Sequence, residues 1–212
     1  MMEFIKQPMA IEHRSMELIA PYLAGLSLSE AEKKVYSRII HAAGDVEYAP
    51  IIRISETAVA AGISALRGGA DIYTDVEMVR TGINKRQLAS FGGTVHCRIA
   101  DPEIAARAKA EGVTRSLMAM RSFGAALTGS VIAIGNAPTA LFEVLRVVRE
   151  EGVRPACIVG IPVGFVGAAD SKKELAENGL VPYITVEGTK GGSPIAAASV
   201  NARLYEIDDG RD

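Results

Sequence analysis

His41 stands three positions after Arg38 and three before Gly44, at the end of a stretch in which Ala31, Val35 and Ile39 repeat every fourth residue. That spacing predicts a helix over 29–41, opened by Ser29 and Glu32 as a capping box and stopped by Gly44. Arg38 and His41 then lie on neighbouring parts of one flank, beside the apolar stripe. A helix C-terminus favours imidazolium and the Arg38 charge opposes it. A histidine held between the two suits proton transfer near neutral pH. The same spacing also suits a solvated histidine favoured by the helix dipole alone. Asp45 reads as a cap for whatever follows Gly44. The motif by itself names no reaction.

The elements that must position this helix end follow from periodicity. Helical signals dominate the first 70 residues, at 11–24, 29–41 and 55–66. Beyond them, strand-like runs at 71–79, 94–99, 130–134, 156–161 and 183–186 alternate with helices at 84–90, 102–111, 116–127, 138–151 and 171–178, and 194–207 closes as a helix. Strands separated by helices imply crossovers and a mostly parallel sheet with helices on both faces. The expected fold is therefore α/β, one domain over 1–212, with about five strands and a helical N-terminal region.

Composition agrees. The chain has 212 residues, 49% of them hydrophobic, with 21 glycines and no tryptophan. That suits a core of Ala, Val and Ile joined by tight turns. The net charge is -2 without a basic run, which argues against nucleic-acid binding. The apolar runs are far too short to cross a bilayer, and the start Met1-Met2-Glu3-Phe4-Ile5-Lys6-Gln7-Pro8 lacks the pattern of a signal peptide, so the expected compartment is the cytoplasm. Cys97 and Cys157 sit in strand-like segments without metal-ligand spacing and read as two buried thiols.

In an open parallel sheet, ligands collect beyond the carboxyl ends of the strands. Three strand-to-helix loops there are rich in glycine. Gly135-Asn136-Ala137-Pro138-Thr139 reads as a turn with Asn136 capping; 162–172 approaches a helix at Ser171-Lys172; Glu187-Gly188-Thr189-Lys190-Gly191-Gly192-Ser193-Pro194 leads into the last helix. Helix starts with glycine and lysine are natural anion sites, although glycine also marks ordinary turns. None of the three matches a dinucleotide fingerprint or a P-loop.

Taken together, the segments Pro8 to Ser15, His41 to Asp45, Asp75 to Ile83, Thr114-Arg115-Ser116, Gly135 to Leu141, Pro162 to Gly167 and Lys190 to Ser193 resemble the precorrin-8X methylmutase family of corrin biosynthesis. They are collinear and span nearly the whole chain. Asp170, where the family usually has glutamate, and Thr189, where it usually has arginine, depart from the common pattern. The resemblance implies a cofactor-free isomerase, without a metal of its own, that moves a methyl group from C11 to C12 of a corrin precursor. The product would be hydrogenobyrinate or its cobalt-containing counterpart. It also implies a homodimer with the tetrapyrrole near the subunit interface. His41 would be catalytic, with Ser15, Arg38, Thr81, Gly82, Ile83 and Arg115 binding the substrate. A polycarboxylate substrate asks for spread-out donors of this kind.

The remaining candidates have plainer readings. His96 beside Cys97 suits a packed, hydrogen-bonded histidine, and His13 a solvated or rim residue. Arg53, Arg67 and Arg121 suit surface or ion-pair roles. Arg115 opens a helix, an unfavourable place for a cation, which favours a ligand role. Two rival functions share the same features: a non-catalytic tetrapyrrole carrier, and an unrelated α/β enzyme acting on a small phosphorylated substrate.

Overall fold

A computed structural model describes residues 5–209, leaving Met1 to Phe4 of the amino terminus and the last three residues outside the description. Its strands β1 (Ile52–Ile54), β2 (Ile72–Thr74), β3 (Val95–Cys97), β4 (Val131–Ile134), β5 (Cys157–Gly160) and β6 (Tyr183–Val186) form one sheet in the order β1-β6-β5-β4-β2-β3. Every pair is parallel except β1 with β6. β4 and β5 are buried at every residue, as their continuous apolar runs require of strands covered on both sides.

Side chains alternate between the faces. Val131, Ala133, Cys157 and Val159 join a core formed with α1 (Pro8–Leu23), α2 (Glu30–Ala43), α3 (Ala58–Arg67), α4 (Glu77–Gly82) and α5 (Lys85–Ala89), and with the last helix of the chain. Ile132, Ile134 and Ile158 join a second core on the other face. There the sheet is covered by α7 (Arg115–Phe123), α8 (Pro138–Glu150) and α9 (Ala168–Asn178), while α6 (Pro102–Glu111) packs on α7. The last helix, α10 (Ser193–Asp209), lies against α2, α3 and α4.

The α/β architecture with a mostly parallel sheet matches the sequence reading, but several elements differ. A sixth strand, β1, lies in the stretch read as helical. It is three residues long, too short to show periodicity, and follows a 3-10 turn over Val46–Ile51. The helix expected over 55–66 accordingly begins at Ala58. The strand expected over 71–79 stops at Thr74, and the rest of that run becomes α4, too brief for a helical repeat to be visible. Finally, α9 starts at Ala168, three residues before the expected Ser171. Among the described residues, no helix is long and apolar enough to cross a membrane.

α2 is fixed at both ends. Ser29 and Glu32 form the expected capping box, and Gly44, at φ 63°, donates its amide to the Ile40 and His41 carbonyls. Buried Tyr36 donates its hydroxyl to the Ile52 carbonyl at 3.0 Å, tying the helix to the start of β1. Because β1 runs antiparallel to β6, with Ile52 opposite Val186, its beginning lies at the carboxyl edge of the parallel strands. The chain between α2 and β1 therefore reaches the edge where a ligand site is expected.

Candidate functional site

The strand order reverses at β2, which has β3 on one side and β4 on the other. Just beyond this switch point stands Asp75, fully buried. Its carboxylate accepts the amides of Gly135 at 3.0 Å, Asn136 at 2.9 Å and Ala137 at 2.7 Å. Burial pushes the Asp75 carboxyl upward in pKa, against the three amide hydrogen bonds that pull it down. Asn136 is not the cap of α8: the N-cap is Ala137, without a side-chain bond, and Asp75 supplies the capping oxygens from another strand. The amides expected to make this turn an anion site are thus already committed to a carboxylate of the chain itself.

The second glycine-rich loop is also more internal than its sequence implies. The early start of α9 buries Lys172, which is 1% exposed. Its Nζ donates to the Lys190 carbonyl at 2.5 Å instead of facing a ligand. Burial holds its pKa down at about 8. Gly164 donates its amide to the Thr189 carbonyl at 3.2 Å, so the second and third loops are joined. Gly191, at φ 157°, could carry no side chain, since a Cβ would lie 2.6 Å from the Ile161 and Pro162 carbonyl oxygens. At the tip of the second loop, Phe165 and Val166 are 96% and 89% exposed.

The third loop reaches the end of α2. Lys190 Nζ lies 2.7 Å from Asp45 Oδ2 and 2.9 Å from Glu47 Oε2, and 5.3 Å from the centre of the Tyr48 ring. Asp45 also accepts the Glu47 amide at 2.8 Å, the capping role expected for it. His41 is exposed in the last turn of α2, within this clamped corner of the chain.

Thr81 and Gly82, both exposed, end α4. The Gly82 carbonyl accepts Asn201 Nδ2 at 2.9 Å, and a Cβ on Gly82 would meet Ala197 Cβ at 2.8 Å. Ile83 is buried in the core, which leaves only its backbone to face a ligand. Arg115 is exposed at the first position of α7. Its neighbour Thr114 caps that helix and meets the Thr139 hydroxyl at 2.7 Å, bringing the start of α7 to the start of α8. Ser15 and Arg38 lie farther back. Ser15 donates its hydroxyl to the Ile11 carbonyl within α1, and Arg38 pairs with Glu12 at 2.5 Å beneath the Tyr205 ring. His41, Thr81, Gly82 and Arg115 are thus exposed at the ends of α2, α4 and α7, while Ser15 and Arg38 are held on α1 and α2 by Ile11 and Glu12.

Three of the residues set aside from the site have partners within the chain. His96 meets Asp71 at 3.0 Å and stacks on Tyr73. Arg53 pairs with Glu187, and Arg121 with Glu143 and Glu111. Both cysteines are free thiols, Cys157 buried but Cys97 only partly so, because β3 is an edge strand. Sequence reading missed Asp75, Lys172 and the Lys190–Asp45 pair as organising contacts; each joins residues far apart in the chain and carries no local signal.

Comparison with known proteins gives one answer. The family model described as precorrin-8X methylmutase matches residues 10–206. The precorrin-8X methylmutase of Sinorhizobium sp is 42% identical over 201 residues, covering 94% of this chain and 95% of the relative. The cobalt-precorrin-8 methylmutase of Priestia megaterium is 38% identical over 204 residues, covering 96% of this chain and 90% of the relative. Among solved structures, a precorrin-8X methyl mutase from Thermus thermophilus superposes with a TM-score of 0.87 at 38% identity, covering 95% of this chain and 97% of that one. The chain belongs to the precorrin-8X methylmutase family, isomerases of corrin biosynthesis.

Proposed function

We propose that this chain moves a methyl group from C11 to C12 of precorrin-8X or cobalt-precorrin-8, giving hydrogenobyrinate or cobyrinate, with no cofactor. The observation that carries the reading is His41 itself: exposed, at a helix C-terminus, on the edge of the sheet where ligands of such folds are bound. The shift is intramolecular and needs no nucleophile. A protonated His41 hydrogen-bonded to a ring nitrogen draws electron density from the conjugated system and eases migration, help worth about two to four orders of magnitude in rate.

The rest of the shelf suits a broad polycarboxylate ring. Arg115, Thr81 and the Gly82 backbone supply spread-out polar contacts, and exposed Phe165 and Val166 offer apolar surface to a flat macrocycle. Ser15 and Arg38 join them when Arg38 exchanges Glu12 for a substrate carboxylate. The same reading makes the protein a cytoplasmic homodimer whose second subunit covers the ring. Ile11, Leu18 and Tyr22, one exposed apolar stripe on α1, support it. A small phosphorylated substrate is the poorer reading, since the amides at the start of α8 are taken by Asp75.

The test is incubation of the purified protein with precorrin-8X and, separately, with cobalt-precorrin-8, followed by absorption spectroscopy. Conversion of either to its corrin product is expected. Tight binding of hydrogenobyrinate with no turnover of either substrate would instead establish a carrier.

A further inference from the structure

We infer that Lys190 is a positioning residue for His41, holding the end of α2 against the loop after β6 through its paired contacts to Asp45 and Glu47. The inference rests on His41 as the catalytic group. Lys190 is anchored from behind: its carbonyl accepts the buried Lys172 amine at 2.5 Å, and Gly192 donates its amide to the Ile161 carbonyl at 3.0 Å. Its side chain then reaches 2.7 Å to Asp45 and 2.9 Å to Glu47, across 145 and 143 residues of sequence. Asp45 directly follows the glycine that ends α2, and its amide bonds back to the Ile40 carbonyl at 3.4 Å. Two carboxylates on one ammonium, with the Tyr48 ring beside it, fix that corner more firmly than one exposed pair does. The hydrogen bond to a ring nitrogen depends on where the last turn of α2 sits, and small displacements of a catalytic group are costly in rate.

The experiment compares Lys190→Ala, Lys190→Arg, Asp45→Asn and the Lys190→Ala/Asp45→Asn double variant with the unaltered protein. Lys33→Ala serves as control, because it breaks a comparable exposed pair with Glu30, 2.6 Å long, at the far end of α2. Lys190→Ala should lose about tenfold or more in kcat with KM changed less than about twofold, the signature of an interaction felt in the transition state. Lys190→Arg should recover most of that loss, and the double variant should be no slower than the slower single one. The His41 ring resonance, one of three histidine signals, should shift in Lys190→Ala and stay in place in Lys33→Ala. This second readout stands even if neither corrin precursor is turned over, an outcome that would defeat the proposed reaction alone. Unchanged kcat and an unmoved His41 resonance in Lys190→Ala would overturn the inference. So would a loss confined to KM, or equal losses in the arginine and alanine variants.

Discussion

The Asp75 carboxylate accepts the Ala137 amide at 2.7 Å, joining the end of β2 to the start of α8 across 62 residues of sequence. With the Gly135 and Asn136 amides it forms an internal cap that shapes the crevice where the strand order reverses. Asp75→Asn keeps the size but replaces one acceptor by a donor that faces backbone N–H groups. The amide oxygen can still serve the two amides on one side, but the third is left unpaired at a cost of about 1–3 kcal/mol, so the variant should lose at least about 1 kcal/mol of stability. Urea unfolding measures this, and an unchanged midpoint would show that the amides find other partners.

Much of this was legible in sequence, and the limits have a physical pattern. The capping box of Ser29 and Glu32, the Gly44 stop and the Asp45 cap are local contacts, and each forms as read. The fully buried β4 and β5 announced themselves as unbroken apolar runs. β1 and α4 did not, since neither is long enough to show a repeat. Lys172 belongs to a helix start read as an anion site, yet is buried because the helix begins three residues before Ser171. The Glu12 partner of Arg38 comes from a different helix, so spacing along α2 alone could not reveal it.

The two arginines of the proposed site should behave differently. Arg115 is exposed at a helix start, so Arg115→Ala should weaken product binding by about 1.5–3 kcal/mol, the scale of a hydrogen bond to a charged group, with the melting temperature unchanged. Arg38 first has to leave Glu12. Glu12→Ala should therefore tighten product binding and Arg38→Ala weaken it. Calorimetric titration that finds both Glu12 and Arg38 variants unaltered would make that pair purely structural.

Arg203 is fully buried, and among the described residues its three guanidinium nitrogens have no hydrogen-bond partner. Gly62 packs so closely that a Cβ there would lie 2.8 Å from Arg203 Cδ. Replacing an uncompensated buried charge by an apolar chain of similar length is stabilising, so Arg203→Met should gain about 1 kcal/mol or more. Gly62→Ala should destabilise the unaltered protein but be tolerated beside Arg203→Met, a coupling that a double-mutant cycle reads directly. Strictly additive effects would contradict the close packing described.

Lys172 makes stability depend on pH in a particular direction. Its folded pKa is lowered from 10.5 to about 8 by burial, so between those values the unfolded chain binds the extra proton. Burying the charged amine is a cost below about pH 8 that is relieved as pH rises through that value. The stability of the unaltered protein relative to Lys172→Met should therefore rise from about pH 8 toward about pH 10.5. A flat difference across that window would mean the amine is solvated.

The central claim rests on His41, and one measurement addresses it most directly: turnover of precorrin-8X or cobalt-precorrin-8 by His41→Ala, alongside titration with the corrin product. The variant should bind product nearly as well as the unaltered protein, lose no more than about 1 kcal/mol of stability, and fail to isomerise the substrate. Turnover close to that of the unaltered protein would contradict the account.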